Sequence, residues 1–255
     1  MKKIFLSFFV FTLFSICFSQ INQQIIPSNL IKKQIIKSKS LDNLTVSLNY
    51  ENVSIKDYSS SEILIEIYSN NNKKIPEIKF ENKNLSIKSI KNYKKGDYCF
   101  ICIYLPSNLL LNKFSLSNKT GSVTCTGIKA EDSITISCTN SDLNIQKSKA
   151  LYLDLFCEKG NVVLFKNYFD FFEIKSRESA IDITLDTNIY GTSKIITEKG
   201  SILIKLNKQN LFDVSCDPFS PTKGKFTNNA SNSNHTELPL IFIHTEKADI
   251  TLEEY

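Results

Sequence analysis

One pattern recurs six times between Phe114 and Leu252: an alternating apolar segment, a tight polar turn, then a second alternating apolar segment. With Gly121, Ser141, Gly160, Ser179, Gly200 and Ala248 taken as the turn anchors, the spacings are 20, 19, 19, 21 and 48 residues. A unit of this size has one apolar side and cannot bury it alone, so neighbouring units must stack and share a core. Five residues before the anchors stand Leu116, Ile136, Leu155, Ile174, Ile195 and Ile243. Two after them stand Val123, Leu143, Val162, Ile181, Ile202 and Ile250, and four after them Cys125, Ile145, Leu164, Ile183, Ile204 and Leu252. These columns predict an all-β fold, a β-solenoid or β-helix-like stack of two-strand rungs of about 20 residues, with the columns pointing into one core.

The same alternation extends the repeat in both directions. Leu44, Val46 and Leu48, a turn at Tyr50-Glu51, then Val53 and Ile55 read as an earlier rung. Ile78 and Phe80, the turn from Glu81 to Asn84, then Leu85 and Ile87 read as a hairpin-like unit, while 62–68 and 98–106 read as single strands. Between Gly200 and Ala248 a further rung is expected, with Phe212, Val214 and Cys216 seven, five and three places before a turn near Phe219. Its second strand is expected to be replaced by a protruding loop at about 220–239, rich in Pro, Thr, Asn and Ser.

The amino terminus reads differently. Lys2 and Lys3 precede an uncharged run from Ile4 to Phe18, too short for the roughly 20 apolar residues of a membrane span. Residues 1–19 are therefore expected to be a signal peptide, cut so that the mature chain starts at Gln20; the alternative is a lipoprotein acylated at Cys17. Residues 20–41 form an N-terminal segment or cap, and 42–255 form the repeat domain. Export would place the protein in the periplasm, at the cell surface or outside the cell.

Removing Lys2 and Lys3 leaves 29 of 31 basic side chains against 26 acidic ones, a net of +3. Arg177 is the one arginine, so the forked donors that read phosphate and guanine are missing and nucleic acid is not an expected partner. Six of the seven cysteines survive cleavage in a compartment that permits disulfides, and six cysteines allow 15 pairings.

The stretch Ile103-Tyr104-Leu105-Pro106, the rung from Phe114 to Val123, and rungs ending in Glu158-Lys159-Gly160-Asn161-Val162 and Glu198-Lys199-Gly200-Ser201-Ile202 resemble a bacterial family of putative adhesins with β-strand repeats, the Toastrack domain. The resemblance covers roughly residues 42–254. It implies a β-helical repeat domain, exported or envelope-associated, and brings no catalytic residues. Ser141, Ser179 and Ala248 depart from it where glycine is typical.

Chemistry-bearing candidates are few. Six places before the anchors stand Ser115, Thr135, Asp154, Glu173, Lys194 and Asp213, then Phe242. Asp154 and Glu173 on adjacent rungs are candidates for a divalent cation or for acid–base work on a polysaccharide, weighed against a solvated face neutralised by Lys194. Cys138, Cys157 and Cys216 share the place three before the turn; Cys138 and Cys157 on consecutive rungs are candidates for a disulfide. Cys99 and Cys102 lie three apart on a strand and must face opposite ways, which excludes a shared metal. His235 and His244, the two histidines, have no nucleophile at a useful spacing. The aromatic connection containing Phe165, Tyr168, Phe169 and Phe171, with outward Phe156, Val163, Ile196 and Leu203, is a candidate binding surface or a face covered by the chain's own N-terminal region. The expected function is an exported, non-catalytic binding module without cofactor, directed at a surface glycan or envelope protein; the alternatives are a β-helix polysaccharide-acting enzyme and a purely structural periplasmic protein.

Overall fold

The computed structural model describes residues 29–37, 41–73, 75–90, 97–185, 189–207, 213–216, 222–223 and 239–254. The expected signal peptide, its cleavage at Gln20, the alternative at Cys17, and His235 lie outside these residues. Among the described residues every regular element is a strand, and no helix is long and apolar enough to cross a membrane.

In chain order the strands are β1 (Leu30–Lys37), β2 (Asn43–Leu48), β3 (Asn52–Tyr58), β4 (Glu62–Ser69), β5 (Glu77–Glu81), β6 (Asn84–Lys88), β7 (Cys99–Pro106), β8 (Leu111–Thr126), β9 (Ala130–Gln146), β10 (Lys149–Phe165), β11 (Tyr168–Leu185), β12 (Thr192–Leu206), β13 (Asp213–Cys216), β14 (Thr222–Lys223) and β15 (Leu240–Glu254). The six long elements β8 to β12 and β15 each bend once at their anchor, so each is a complete rung. They pair in parallel, with Leu116, Ile136, Leu155, Ile174, Ile195 and Ile243 in one unbroken register. The three predicted columns are buried on every rung. Each such side chain contributes roughly 1.5–3 kcal/mol of burial, and stacking carries the core continuously from rung to rung.

Two kinds of corner close each rung. At the first, the anchor column runs Glu51, Gly121, Ser141, Gly160, Ser179, Gly200, Ala248 along the stack, glycine alternating with a larger residue. Gly121, Gly160 and Gly200 have φ of 119°, 130° and 126°. A Cβ on them would lie 2.7 Å from the Glu51 oxygen, 2.2 Å from that of Ser141 and 1.9 Å from that of Ser179, in each case the backbone carbonyl of the preceding anchor. The departures from glycine are thus half of an alternating device: one rung supplies the carbonyl, the next the bare Cα that lets it approach.

The inner side of this corner is polar, because the bend turns backbone groups inward. Asn118 Nδ2 donates to the Glu51 carbonyl at 3.1 Å, the Cys157 thiol donates to the carbonyls of Ser141 and Lys159, and Thr197 Oγ1 donates to the Lys199 carbonyl at 3.0 Å. Glu51 itself is fully buried, its carboxylate accepting from the amides of Asn49 and Tyr50 and from the Ser89 hydroxyl. The second corner uses Lys147 and Lys166 at φ near 50° and a buried ladder behind them. There Ser148 N donates to Asn167 Oδ1 at 2.9 Å, and Asn167 Nδ2 to the Ile145 carbonyl at 2.9 Å.

The order of rungs departs from chain order at both ends. The early rung β2–β3 lies directly under β8, Leu44 opposite Phe114 and Ile55 opposite Cys125, and the rung made of β6 and β7 packs on its other side. Beyond that, β5 pairs antiparallel with β6, β4 with β7, and β1 with β4, so the part of the N-terminal segment in β1 is a capping strand. At the other end β15 pairs directly with β12, Gly200 opposite Ala248, and β13 lies outside it. The rung expected between Gly200 and Ala248 is therefore beyond β15. Its register also differs by two, with Val214 opposite Ile241 and Cys216 opposite Ile243, which removes Cys216 from the Cys138 column. A two-residue slip preserves the in–out parity, so alternation alone could not fix it. Within the expected loop at 220–239, Thr222–Lys223 pair with Ile250–Thr251 and so supply a short second strand; 220–221 and 224–238 lie outside the described residues.

Candidate functional site

Alternation leaves every second residue of a strand outside, so each sheet of the stack presents an outward face made of columns. On the face of the first strands, one column runs Ser86, Thr45, Ser115, Thr135, Asp154, Glu173, Lys194, Phe242. Beside it run Lys88, Ser47, Ser117, Ser137, Phe156, Lys175, Ile196, His244, and Asn84, Asn43, Lys113, Ser133, Tyr152, Phe171. Rungs lie about 4.8 Å apart and successive outward residues of one strand about 6.8 Å apart. The face thus has two halves, one after the other along the stack. Over β6, β2, β8 and β9 it is a field of short hydroxyl and amide side chains; over β10 to β15 it carries aromatic, apolar and charged groups.

Polar partners within the field run along the stack. Ser117 Oγ donates to Ser47 Oγ at 3.1 Å, and Asn43 Nδ2 to Asn84 Oδ1 at 2.8 Å. Apart from Lys88 and Lys113 its side chains are short. Repeating hydroxyls at i and i+2 in Thr45/Ser47, Ser115/Ser117 and Thr135/Ser137 are the sequence signal of the field; Ser115 and Thr135 stand in the same column as Asp154 and Glu173.

Asp154 and Glu173 are brought together as expected, directly opposite one another. Their surroundings are those of a bound surface pair. Glu173 Oε1 lies 3.1 Å from Lys175 Nζ, and Glu173 Oε2 accepts from the Tyr152 hydroxyl at 3.3 Å. Burial, then the Glu173 charge, pushes the Tyr152 phenol up. Lys194 stands opposite Glu173 in the ladder, but the ion pair is made by Lys175 on the same strand. Among the described residues no group of three or more His, Cys, Asp or Glu could hold a metal ion.

The aromatic candidates separate. Phe165 and Tyr168 are exposed on either side of the second corner, with Lys166 Nζ 5.3 Å from the centre of the Phe165 ring. Phe171 is half-buried, its ring over Gly191, where a Cβ would come within 2.8 Å of Cε1. Phe169 is not a surface residue. It belongs to the core, because entry into β11 puts it in register with buried Ala150. Of the further outward positions, Phe156 is exposed, and Val163, Ile196 and Leu203 are half-buried. The described N-terminal strand β1 lies against β4 at the far end of the stack, away from this face.

Cys138 and Cys157 are in register on neighbouring rungs, and both are buried free thiols. Burial, then Cys157, pushes the Cys138 thiol up to about 12; burial also raises Cys157. Cys99 belongs to the core while Cys102 lies opposite Glu66 on the outer side, as their spacing requires. A shallow groove follows the glycine corner past Asn52, Ser122, Ser141, Asp142 and Lys159. Its polar groups hold adjacent rungs together: Asn52 Oδ1 accepts from Ser122 N at 2.8 Å, and Asp142 Oδ1 from Asn161 N at 2.9 Å.

A search of curated proteins finds no match. Among solved structures the chain is similar to a putative adhesin from Parabacteroides distasonis ATCC 8503, at 10% identity over 88% of this chain and 96% of that one, with a TM-score of 0.44. It is similar to a putative adhesin from Bacteroides fragilis NCTC 9343, at 15% identity over 90% and 99%, TM-score 0.41. A putative cell adhesion protein from Clostridium sporogenes ATCC 15579 matches at 15% identity over 88% and 99%, TM-score 0.38. The model of the Toastrack DUF4097 family matches residues 32–253, most of the chain and nearly the whole stack, and the protein therefore belongs to that family.

Proposed function

We propose that this protein is an exported, non-catalytic binding module of the cell envelope or surface, adhesin-like in role, and that it binds through the outward face of the first strands. One observation carries the reading: a field of short polar side chains runs in register into an aromatic patch on the same sheet. A scaffold whose backbone is fixed by ladders on both sides presents such groups with little ordering cost on binding. Asp154 and Glu173 sit on an open sheet face, Glu173 in an ion pair with Lys175, which suits orientation of a ligand better than proton transfer. Export rests on the charged and apolar N-terminal run, and mass spectrometry of the native protein distinguishes a chain starting at Gln20 from one acylated at Cys17.

The test is a binding screen of the purified protein against glycans and envelope extracts, run beside a Tyr152→Ala, Phe156→Ala variant of equal melting temperature. The expected result is a ligand retained by the wild type and lost by the variant. Retention unaffected by the double substitution would remove the face from the reading; turnover of a polysaccharide, abolished by Asp154→Asn or Glu173→Gln, would replace the module with an enzyme.

A further inference from the structure

We infer that the ligand of this face is a neutral, unbranched polysaccharide lying along the stack axis, across the rungs rather than along a strand. The inference rests on the binding-module reading and assigns the chemistry of the occupant.

Four features select this class. First, each Ser and Thr hydroxyl both donates and accepts, as each sugar hydroxyl does, so columns of them match a polymer with hydroxyls along its whole length. Second, protein interfaces are depleted in serine and enriched in large anchors, and the field over β2, β8 and β9 is the reverse. Third, the charges of the face balance, Asp154 and Glu173 against Lys175 and Lys194, Asp132 against Lys113 at 3.1 Å, and Glu77 and Glu81 of β5 against Lys79 and Lys88, so the face complements neither an anionic polymer nor a cationic one. Fourth, the rings of Tyr152 and Phe171 stand in adjacent rungs at the end of the field, apolar faces of the kind on which a sugar ring packs.

The direction follows from the columns. Strands β2 and β9 carry short polar groups along their whole outward face, and the rings of Tyr152 and Phe171 stand on the next rungs, about 4.8 Å apart, so only a path across the rungs meets both halves of the face. A linear polymer with a sugar over each rung crosses from the hydroxyl field onto the rings; a polymer laid along a strand meets one half of the face alone.

The experiment measures retention of the full chain on insoluble cellulose, chitin and mannan, and its mobility in gels holding soluble xylan, alginate or heparin. It adds a series of oligosaccharides of increasing length from the neutral polymer that binds. Retention by at least one neutral polymer is expected, unchanged between low and high salt because screening has no net charge to act on. Affinity should climb with oligosaccharide length until roughly four or five rungs are covered, since each sugar added reaches another rung. Tyr152→Ala, and separately the pair Ser117→Lys with Thr135→Lys, should each weaken binding about tenfold or more, a loss on the order of 1.4 kcal/mol. Thr124→Lys, on the outward face of the other sheet, should leave it unchanged. Salt-sensitive binding to alginate or heparin alone overturns the inference, as does a protein ligand that needs Tyr152 and Phe156 but ignores the Ser117 and Thr135 changes; either leaves the binding-module reading intact. A face that binds nothing in either screen removes both.

Discussion

Replacing Gly200 by Ala tests the alternating corner most directly. The new Cβ would sit 1.9 Å from the Ser179 carbonyl oxygen and 2.7 Å from its carbon, backbone atoms that cannot rotate away. At φ of 126° an L-residue also carries strain of about 1–3 kcal/mol. Relief requires rungs β11 and β12 to part at the corner, which weakens one or two ladder bonds worth about 1 kcal/mol each. The sum is about 2–5 kcal/mol. For a chain of this size that lowers the melting temperature by roughly 10 °C. Ser179→Ala, at the facing anchor, introduces no clash; it removes the hydroxyl that donates to the Cys157 carbonyl at 3.2 Å and lies against the Cys157 thiol, and should cost about 1 kcal/mol. The same geometry ranks the glycines: Gly200→Ala and Gly160→Ala severe, Gly121→Ala milder, following contacts of 1.9, 2.2 and 2.7 Å. Urea titrations followed by circular dichroism give the free energies. If Gly200→Ala costs no more than Ser179→Ala, the carbonyl-over-glycine account of the corner is wrong.

Two further outcomes follow from buried groups. Asp182 is raised above the ordinary carboxylate range, by burial first, with Lys205 opposing. A carboxyl raised in the folded state favours folding while protonated and loses that advantage as pH rises from the unfolded value through the folded one. Asp182→Asn should therefore stabilise at pH 7 and make no difference below about pH 3.9; paired thermal melts at the two pH values decide, and a variant less stable at neutrality would reverse the sign. Cys125, Cys138 and Cys157 are buried with thiols pushed up by burial, so an alkylating reagent at mildly alkaline pH should leave all three unmodified until the protein unfolds. Native labelling at any of them, or a Cys138–Cys157 cross-linked peptide after denaturing digestion, would contradict buried free thiols.

The in–out pattern of the rungs was legible because a half-buried strand writes its face into every second residue. Leu155, Ile174 and Ile195 needed nothing more. The order of rungs was not, since a parallel ladder joins any two strands of matching parity and β15 suits β12 as well as β13 does. Corner chemistry was half legible. Glycine at 121, 160 and 200 announces a special backbone, whereas Lys147 and Lys166 at positive φ look like any surface lysine until Asn167 and Ser148 are seen behind them. Phe169 shows the limit of reading aromatic clusters as surfaces: within the run Phe169, Phe171, Phe172, one residue of phase at the strand entrance decides which ring enters the core.

The placement of β2–β3 and β15 bears on how the chain assembles and how it yields to force. A stack built in chain order could grow one rung at a time as the polypeptide emerges, and could be peeled from either end. Here the first rung of the repeat in sequence waits for partners on both sides, and β15 slots between β12 and β13, both of which precede it in the chain. Completion is then a late, non-local event, with the slow closure that long sequence separations impose. In return, tension on either end of the repeat meets a rung hydrogen-bonded on both flanks. It has to slide out lengthwise, breaking many ladder bonds together, where an outermost rung would unzip one bond after another. The proposed adhesin-like role would be served by that kind of anchorage.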